Sequence, residues 1–163
     1  MLRFLLGLFS NDLLIELREN LITVQTFHGD KKLELVPIVA IDSSSGKQVV
    51  KEIGANASNV VGADIKIFKP FSHPRSLVSN FKYSEKVIQH AIRKIHDGTY
   101  FSPAPRVVMH QLEKDEGGLT DVENRVLLEL GYGGGAREVL VYSGPPINVK
   151  IDSYESVRIR IDT

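Results

Sequence analysis

Residues 10–24, near the start of the chain, constrain the fold more than any other stretch. Leu13, Ile15 and Leu17 fall on one face of a strand and Leu14 on the other, which predicts a strand with both faces at least partly buried. The polar residues Arg18, Glu19 and Asn20 follow and predict a tight turn. A second apolar run closes the segment, so the sequence predicts a β-hairpin at the start of a sheet.

The composition is typical of a soluble protein with one domain and a hydrophobic core. The chain has 163 residues, of which 42% are hydrophobic and 25% are charged. Its formal net charge is zero, whereas nucleic-acid-binding proteins usually carry a basic surplus, so we expect no nucleic-acid partner. Without cysteine there is no disulfide, no thiolate nucleophile and no cysteine metal site. No apolar tract approaches the roughly 18 to 20 residues that span a bilayer.

Residues 1–9 form an almost wholly apolar segment, interrupted only by Arg3 and Gly7. The segment is too short to span a membrane and lacks the long apolar centre and cleavage site of a signal peptide. Two interpretations remain open, a segment folded back on the core and an interfacial helix in a membrane surface. In a helix, one broad apolar face would carry Leu2, Leu5, Leu6 and Phe9, with Phe4 and Leu8 beside it.

Residues 21–69 have a β-rich pattern. Recurring apolar residues predict strands within 32–40, 47–53 and 63–69. Residues 54–62 contain glycine, asparagine and serine and predict a loop or a weak helical turn.

The second half of the chain alternates helix and strand. Apolar residues at helical spacing predict a helix that is capped by Ser84 and stopped by Gly98. Residues 120–123 have the spacing of a capping box and predict a second helix, with Val122 on its apolar face. Short apolar strands at 106–110 and 137–142 complete a pattern that predicts βαβ connections and a largely parallel sheet.

Residues 147–163 predict one more strand. Apolar and charged residues alternate strictly from Val157, which is typical of an antiparallel or edge strand with its charges in water.

The motifs in this chain do not indicate catalysis. The glycines of 131–135 follow a helix and precede a strand, the wrong end for a phosphate cradle, so they predict helix termination and a turn. The five histidines include no i, i+4 pair, which favours surface or hydrogen-bonded histidines over metal ligands. Residues 114–118 lack calcium-loop spacing and predict a solvated loop. We assign no catalytic residue and no metal ligand.

Short blocks spread over the chain to about residue 142 match one protein family in order and spacing. They are Met1-Leu2, 9–13 with Ile15 and Leu17, 39–41, Glu85-Lys86, Gln89-His90, Ile92, His96, 103–107 and 135–139. Together these blocks resemble the N-terminal part of the MreB family, the bacterial actin homologues known as rod shape-determining proteins.

The resemblance implies an α/β fold, a single actin-like (ribonuclease-H-like) domain with a mixed sheet flanked by helices. It implies that this domain covers residues 10–163 and that residues 28–62 take the place of the family's small outer subdomain. It also favours membrane binding by residues 1–9, because proteobacterial family members use an amphipathic N-terminus for that purpose. The membrane-binding side chains would be Leu2, Arg3, Phe4, Leu5, Leu8 and Phe9.

In the family the opening hairpin is the first phosphate loop, and ATP with Mg²⁺ is expected there. At that position this chain has Glu16 for aspartate, Arg18 for glycine and Glu19 for threonine, and Asn20 completes a turn one residue shorter. Arg18 adopts positive φ poorly and obstructs close backbone approach, while Glu19 adds negative charge beside a triphosphate. We therefore expect a degenerate nucleotide site without a cofactor, with Arg18 and Glu19 paired at the surface. The chain also stops before the family's second phosphate loop and second domain.

The leading hypothesis is a non-catalytic MreB-like protein at the cytoplasmic face of the inner membrane. Its partners would be the membrane surface and either full-length MreB or other morphogenetic proteins. Two alternatives remain open. One is residual nucleotide binding at a site completed across a dimer, and the other is a paralogue fragment without a selected function.

Overall fold

Two sheets and three α-helices make up the part of the chain that the structure describes. The computed structural model describes residues 12–99 and 102–163, so the predicted membrane-binding segment 1–9 lies outside the described residues. In chain order the strands are β1 (Leu13–Leu17), β2 (Ile22–Thr26), β3 (Lys32–Leu35), β4 (Val39–Asp42), β5 (Val49–Ile53), β6 (Ile65–Phe68), β7 (Arg106–Gln111) and β8 (Glu138–Tyr142). The helices are α1 (Phe81–Ile95), α2 (Asp121–Gly133) and α3 (Tyr154–Asp162).

The predicted hairpin is confirmed and lies at the centre of a mixed five-stranded sheet. Its strand order is β3-β2-β1-β7-β8. β1 pairs antiparallel with β2 and parallel with β7, and β7 pairs parallel with β8. The βαβ connections expected from the sequence are therefore present, because α2 links the parallel strands β7 and β8.

β1 buries apolar side chains on both of its faces, as the sequence predicts. Leu13, Ile15 and Leu17 belong to the main core, which packs under α1 and α2. Leu14 points to the other face and belongs to a smaller cluster under α3. All four side chains are fully buried, so one short strand joins the two cores of the domain.

A separate three-stranded antiparallel sheet follows the hairpin. Its order is β5-β4-β6, and a short 3₁₀-helix (Ala55–Asn59) supplies the helical turn expected at 54–62. Ile38, Ala40 and Ala57 form its small buried cluster. That residues 28–62 correspond to the outer subdomain of the family stays a prediction.

The helix starts differ in part from those expected. α1 begins four residues earlier than predicted, because Asn80 rather than Ser84 is its N-cap and accepts the Tyr83 N–H at 3.1 Å. Ser84 is instead fully buried inside the helix, where its hydroxyl donates to the Pro70 carbonyl at 3.1 Å. The capping box of α2 is confirmed, since Thr120 and Glu123 exchange side-chain and backbone hydrogen bonds. Val122, placed on the apolar face by the sequence pattern, is 72% exposed.

The prediction of a final strand is wrong, because the tail is the helix α3. A Ser153–Ser156 capping box starts the helix, and the tail turns into it through an Asp152 N–H···O=C Asn148 bond of 2.7 Å. Tyr154 and Val157, three residues apart, are fully buried against the sheet. Helical periodicity therefore overrides the alternation, and α3 covers the face of the sheet that carries Leu14.

The fold is a single small actin-like domain, a mixed sheet flanked by helices. None of the described helices is long and apolar enough to cross a bilayer.

Candidate functional site

The β1–β2 turn carries the residues that the resemblance assigns to a degenerate phosphate loop. A 3.0 Å hydrogen bond from the Arg18 N–H to the Leu21 carbonyl closes the turn. Glu16 lies on the α3 side of the sheet, with its carboxylate 3.9 Å from Arg18 Nη1. Asn20 is exposed to solvent. The expected pairing of Arg18 with Glu19 is wrong, since Arg18 approaches Glu16 and Glu19 binds elsewhere.

Glu19 connects the turn to two other segments of the chain. Its backbone N–H donates to Glu113 Oε2 at 2.6 Å. Its carboxylate accepts from Ser72 Oγ at 2.6 Å and lies 2.9 Å from Lys114 Nζ. The Ser72 hydroxyl and the Lys114 ammonium hold the pKa of the Glu19 carboxyl below its usual 4.5, so the group is charged at neutral pH. The backbone N–H and the carboxylate of Glu19 thus find their partners within the protein.

Gln111, at the end of β7, holds the loop that supplies two of these partners. Its side chain is buried, and Nε2 donates to the carbonyls of Glu113 at 2.9 Å and Lys114 at 3.1 Å. Lys114 adopts φ 58°, a left-handed conformation that directs its side chain across to the His73 carbonyl and to Glu19. The expectation of a solvated loop is therefore wrong at Lys114. Local sequence patterns carry no signal for the contacts of Lys114 with His73 and Glu19, because these residues lie far apart along the chain.

The turn differs from a phosphate-binding turn in the groups that it presents. A phosphate-binding turn presents free N–H groups and a positive potential to its ligand. Here the Glu19 N–H is bound to a carboxylate, and both Glu19 and Glu113 lie at the turn. A phosphate group at the turn would meet both carboxylates, of which the Glu19 carboxylate is paired with Lys114.

His110 is buried beside Glu16 in the register of β1 and β7. Its Nε2 lies 3.1 Å from the Gly144 carbonyl, and its ring contacts Tyr142 edge-on at 4.8 Å. Burial lowers the pKa of His110 below its usual 6.5, so the imidazole is neutral at pH 7. Within residues 12–99 and 102–163, no group of three or more His, Asp or Glu side chains is placed to hold a metal ion.

The glycine-rich segment 131–135 serves packing as well as helix termination. Gly131 lies inside α2, where an added Cβ would come within 2.7 Å of Val139 on β8. Gly134 is the C-cap, and Gly135 takes φ 106°, which favours glycine. The expected turn is confirmed at the end of the segment, but its beginning is helix that packs closely on the sheet.

Comparison with known proteins identifies the family. The family model for the MreB/Mbl protein matches residues 24–149, a region that begins after the β1–β2 turn and ends before α3. The cell shape-determining protein MreB of Escherichia coli (strain K12) is 30% identical over 150 residues. Those residues cover 89% of this chain and 42% of that protein, so the chain spans less than half of the relative's length.

Solved structures show the same fold. MreB5 of Spiroplasma citri bound to AMPPNP superimposes with a TM-score of 0.56 over 81% of this chain and 38% of that one, at 15% identity. A non-polymerising MamK mutant bound to AMPPNP gives a TM-score of 0.59 over 81% and 41%, at 16% identity. At these identities the likeness shows the actin-like fold alone. With the family model matching most of the sequence, the chain belongs to the MreB/Mbl family and is thereby linked to the bacterial cell-shape cytoskeleton.

Proposed function

We propose that this chain is a non-catalytic MreB-family protein that acts in the cell-shape cytoskeleton through protein and membrane-surface contacts. The observation that carries the proposal is the closed β1–β2 turn, in which Glu113 accepts the Glu19 N–H. Such a protein would keep the fold of its relatives, but its β1–β2 turn would not bind nucleotide.

ATP does not fit the residues present at the turn. A triphosphate would have to displace the Glu113 carboxylate from the Glu19 N–H and separate Glu19 from Ser72 and Lys114. It would then lie against two carboxylates, in a turn where the Arg18 side chain occupies the place of a glycine. We therefore derive no hydrolytic step for this chain and assign no catalytic residue.

The proposed protein partner is full-length MreB or one of the morphogenetic proteins that work with it. Support comes from the family relationship, which covers the sheet and the two helices α1 and α2 that form its main core. Partners of the relatives can recognise a surface that this chain shares with them. Because the altered turn would not bind nucleotide, that surface would not change during a nucleotide cycle.

Co-sedimentation with E. coli MreB filaments tests the protein half of the proposal. The chain would carry Leu5→Glu and Phe9→Glu, so that apolar adhesion through residues 1–9 cannot contribute. We expect this variant to enter the filament pellet in proportion to the MreB present. Recovery of the chain in the supernatant at every MreB concentration would contradict a role on MreB filaments.

The membrane half of the proposal rests on residues 1–9, whose bulky apolar side chains suit an interfacial segment at the cytoplasmic face of the inner membrane. Vesicle co-sedimentation should pellet the unmodified chain and leave the Leu5→Glu, Phe9→Glu variant in solution. The control is the double variant Ile151→Glu, Ile159→Glu, which places the same two charges on exposed positions near the other end of the chain and should bind as the unmodified chain does. Equal vesicle binding by the unmodified chain and the Leu5→Glu, Phe9→Glu variant would contradict the proposed membrane contact.

A further inference from the structure

The strand β8 forms one edge of the five-stranded sheet. The sheet has the order β3-β2-β1-β7-β8, so β8 pairs with β7 on one side and has no strand neighbour among the described residues on the other. An edge strand presents a row of N–H and C=O groups that can pair with a further strand. β8 is therefore a candidate surface for strand addition.

The other three edge strands carry features that oppose such pairing. β3 has four residues, of which Lys32 and Glu34 form an exposed ion pair with an N···O distance of 2.8 Å. In the three-stranded sheet, β5 carries Lys51 where its register with β4 shifts, and β6 carries the exposed Lys66. Charged side chains, short strands and bulges are the means by which proteins protect sheet edges.

β8 is apolar and regular between its end residues. Val139, Leu140 and Val141 follow one another, and the register with β7 runs without a shift. α2 covers the face of β8 that carries Val139, and α3 covers the face that carries Leu140. Leu140 and Val141 are nevertheless only half-buried, so their remaining exposure lies along the open edge of the sheet.

An antiparallel copy of β8 matches this edge. In a register centred on Leu140, that residue lies opposite its own copy, and Val139 lies opposite Val141 of the second copy. Glu138 then lies opposite Tyr142, so either set of alternate residues can exchange backbone hydrogen bonds across the pair. Directly opposite side chains lie about 4.5 to 5.5 Å apart, so the half-buried leucines and valines would cover one another.

The charges at the two ends of β8 also match in this arrangement. Glu138 pairs with Arg158 of α3, and its side chain stays partly exposed. At the other end, Tyr142 lines a hollow together with Arg160, whose partly exposed side chain pairs with Asp152. Antiparallel pairing would bring Arg160 of each copy towards Glu138 of the other, which places opposite charges at both ends of the contact.

We propose that two copies of this chain associate through β8, which pairs antiparallel with itself to form one sheet of ten strands, five from each copy. The contact is isologous, because the same surface of each copy takes part, and its two-fold axis passes beside Leu140. The pair is closed, since each end of the joined sheet is the protected strand β3. It needs no membrane, nucleotide or MreB contact, so its failure would leave the proposed function standing.

Charge substitutions at Leu140 test the pairing and its register. The full chain carries Leu5→Glu and Phe9→Glu, so that residues 1–9 do not contribute, and sedimentation velocity measures dimer over a range of concentrations. We expect Leu140→Lys and Leu140→Glu each to weaken dimerisation by at least about tenfold, because each charge would face its own copy across the axis. An equimolar mixture of the two variants should recover dimer, because a lysine then faces a glutamate.

The recovery of dimer would also show that both variants are folded. The control is Val61→Lys, which places the same charge on a highly exposed position outside β8 and should dimerise as the parent chain does. A parent chain that is monomeric at every concentration would overturn the proposal. A mixture that stays as monomeric as its two components would overturn it as well.

A single cysteine tests the same register without a charge. The sequence has no cysteine, so Leu140→Cys provides one thiol per chain. Opposite Cα atoms of an antiparallel pair lie about 4.5 to 5.5 Å apart, within the range that a disulfide bridges. Mild oxidation should therefore give a covalent dimer with Leu140→Cys and leave Val61→Cys monomeric. Equal cross-linking of the two variants would contradict the pairing, since random collision would then explain both.

Discussion

Arg106 ties the first described residue of the chain to two other elements. It makes two hydrogen bonds to Asp12, an ion pair with Glu155 and a cation–π contact 4.3 Å from the Tyr154 ring centre. These carboxylates raise the pKa of the guanidinium, with Asp12 as the larger cause. The side chains of Arg106 and Asp12 are only 18% and 11% exposed, so the pair lies in a region of low dielectric.

Replacing Arg106 by alanine should therefore destabilise the domain by about 2 to 4 kcal/mol, because Asp12 would be left buried without its partner. The measurement is the free energy of unfolding from urea titration. Arg125→Ala provides the control, since the Arg125–Glu129 pair lies on the open surface of α2 and its loss should cost less than about 1 kcal/mol. Equal losses in the two variants would show that the Asp12 contact does not hold the domain together.

Glu19 makes the folded state sensitive to acid. Because its pKa is lowered from 4.5, its contribution to stability is fully present above pH 4.5 and is lost as the pH falls through the folded pKa. Carboxyl carbon shifts of Glu19 should report a midpoint below 4.5, and Ser72→Ala should move it upward because the Ser72 hydroxyl is the largest cause of the shift. The pKa of Glu34, which Lys32 lowers at a different place, should not change in that variant. An unchanged Glu19 midpoint would disprove the contact.

α3 is the element in which alternation and helical periodicity give opposite expectations. A strand would place Val157 and Ile159 on one face, but in the helix Val157 is fully buried and Ile159 is 66% exposed. Val157→Ala should therefore cost about 2 kcal/mol of unfolding free energy, and Ile159→Ala less than about 0.5 kcal/mol. Urea titration of the two variants distinguishes the structures, because similar costs at both positions would favour the strand.

The same comparison shows what the sequence can predict. The hairpin, β7 and α2 were predictable because their apolar spacing and the Thr120 capping box are local signals. The sequence predicts a strand where α3 lies, because the alternating arginine and isoleucine residues of this short helix also fit the two-residue period of a strand. The contacts of Glu19 were missed for a different reason, because Ser72 and Glu113 lie 53 and 94 residues away and only the folded chain brings them together.

At the scale of the whole chain, most of the sequence matches the family model, whereas the β1–β2 turn lies outside the matched residues. The family match begins at residue 24, after the turn. It covers every strand of the two sheets except β1 and the start of β2. β1 still organises the sheet, since both of its faces are buried. The role proposed above, by contact and without ATP turnover, depends on this sheet and on the closed turn.

Titration of the full chain with Mg²⁺ and ATP tests this account most directly, with the backbone amide signals of Arg18, Glu19 and Asn20 as the readout. We predict no saturable shift of these signals up to millimolar nucleotide, because the Glu19 N–H is already bound to Glu113. The same absence would exclude a nucleotide site completed across a dimer. A saturable shift of these three amides that requires Mg²⁺ would contradict the account, since it would show that nucleotide displaces the carboxylates that close the turn.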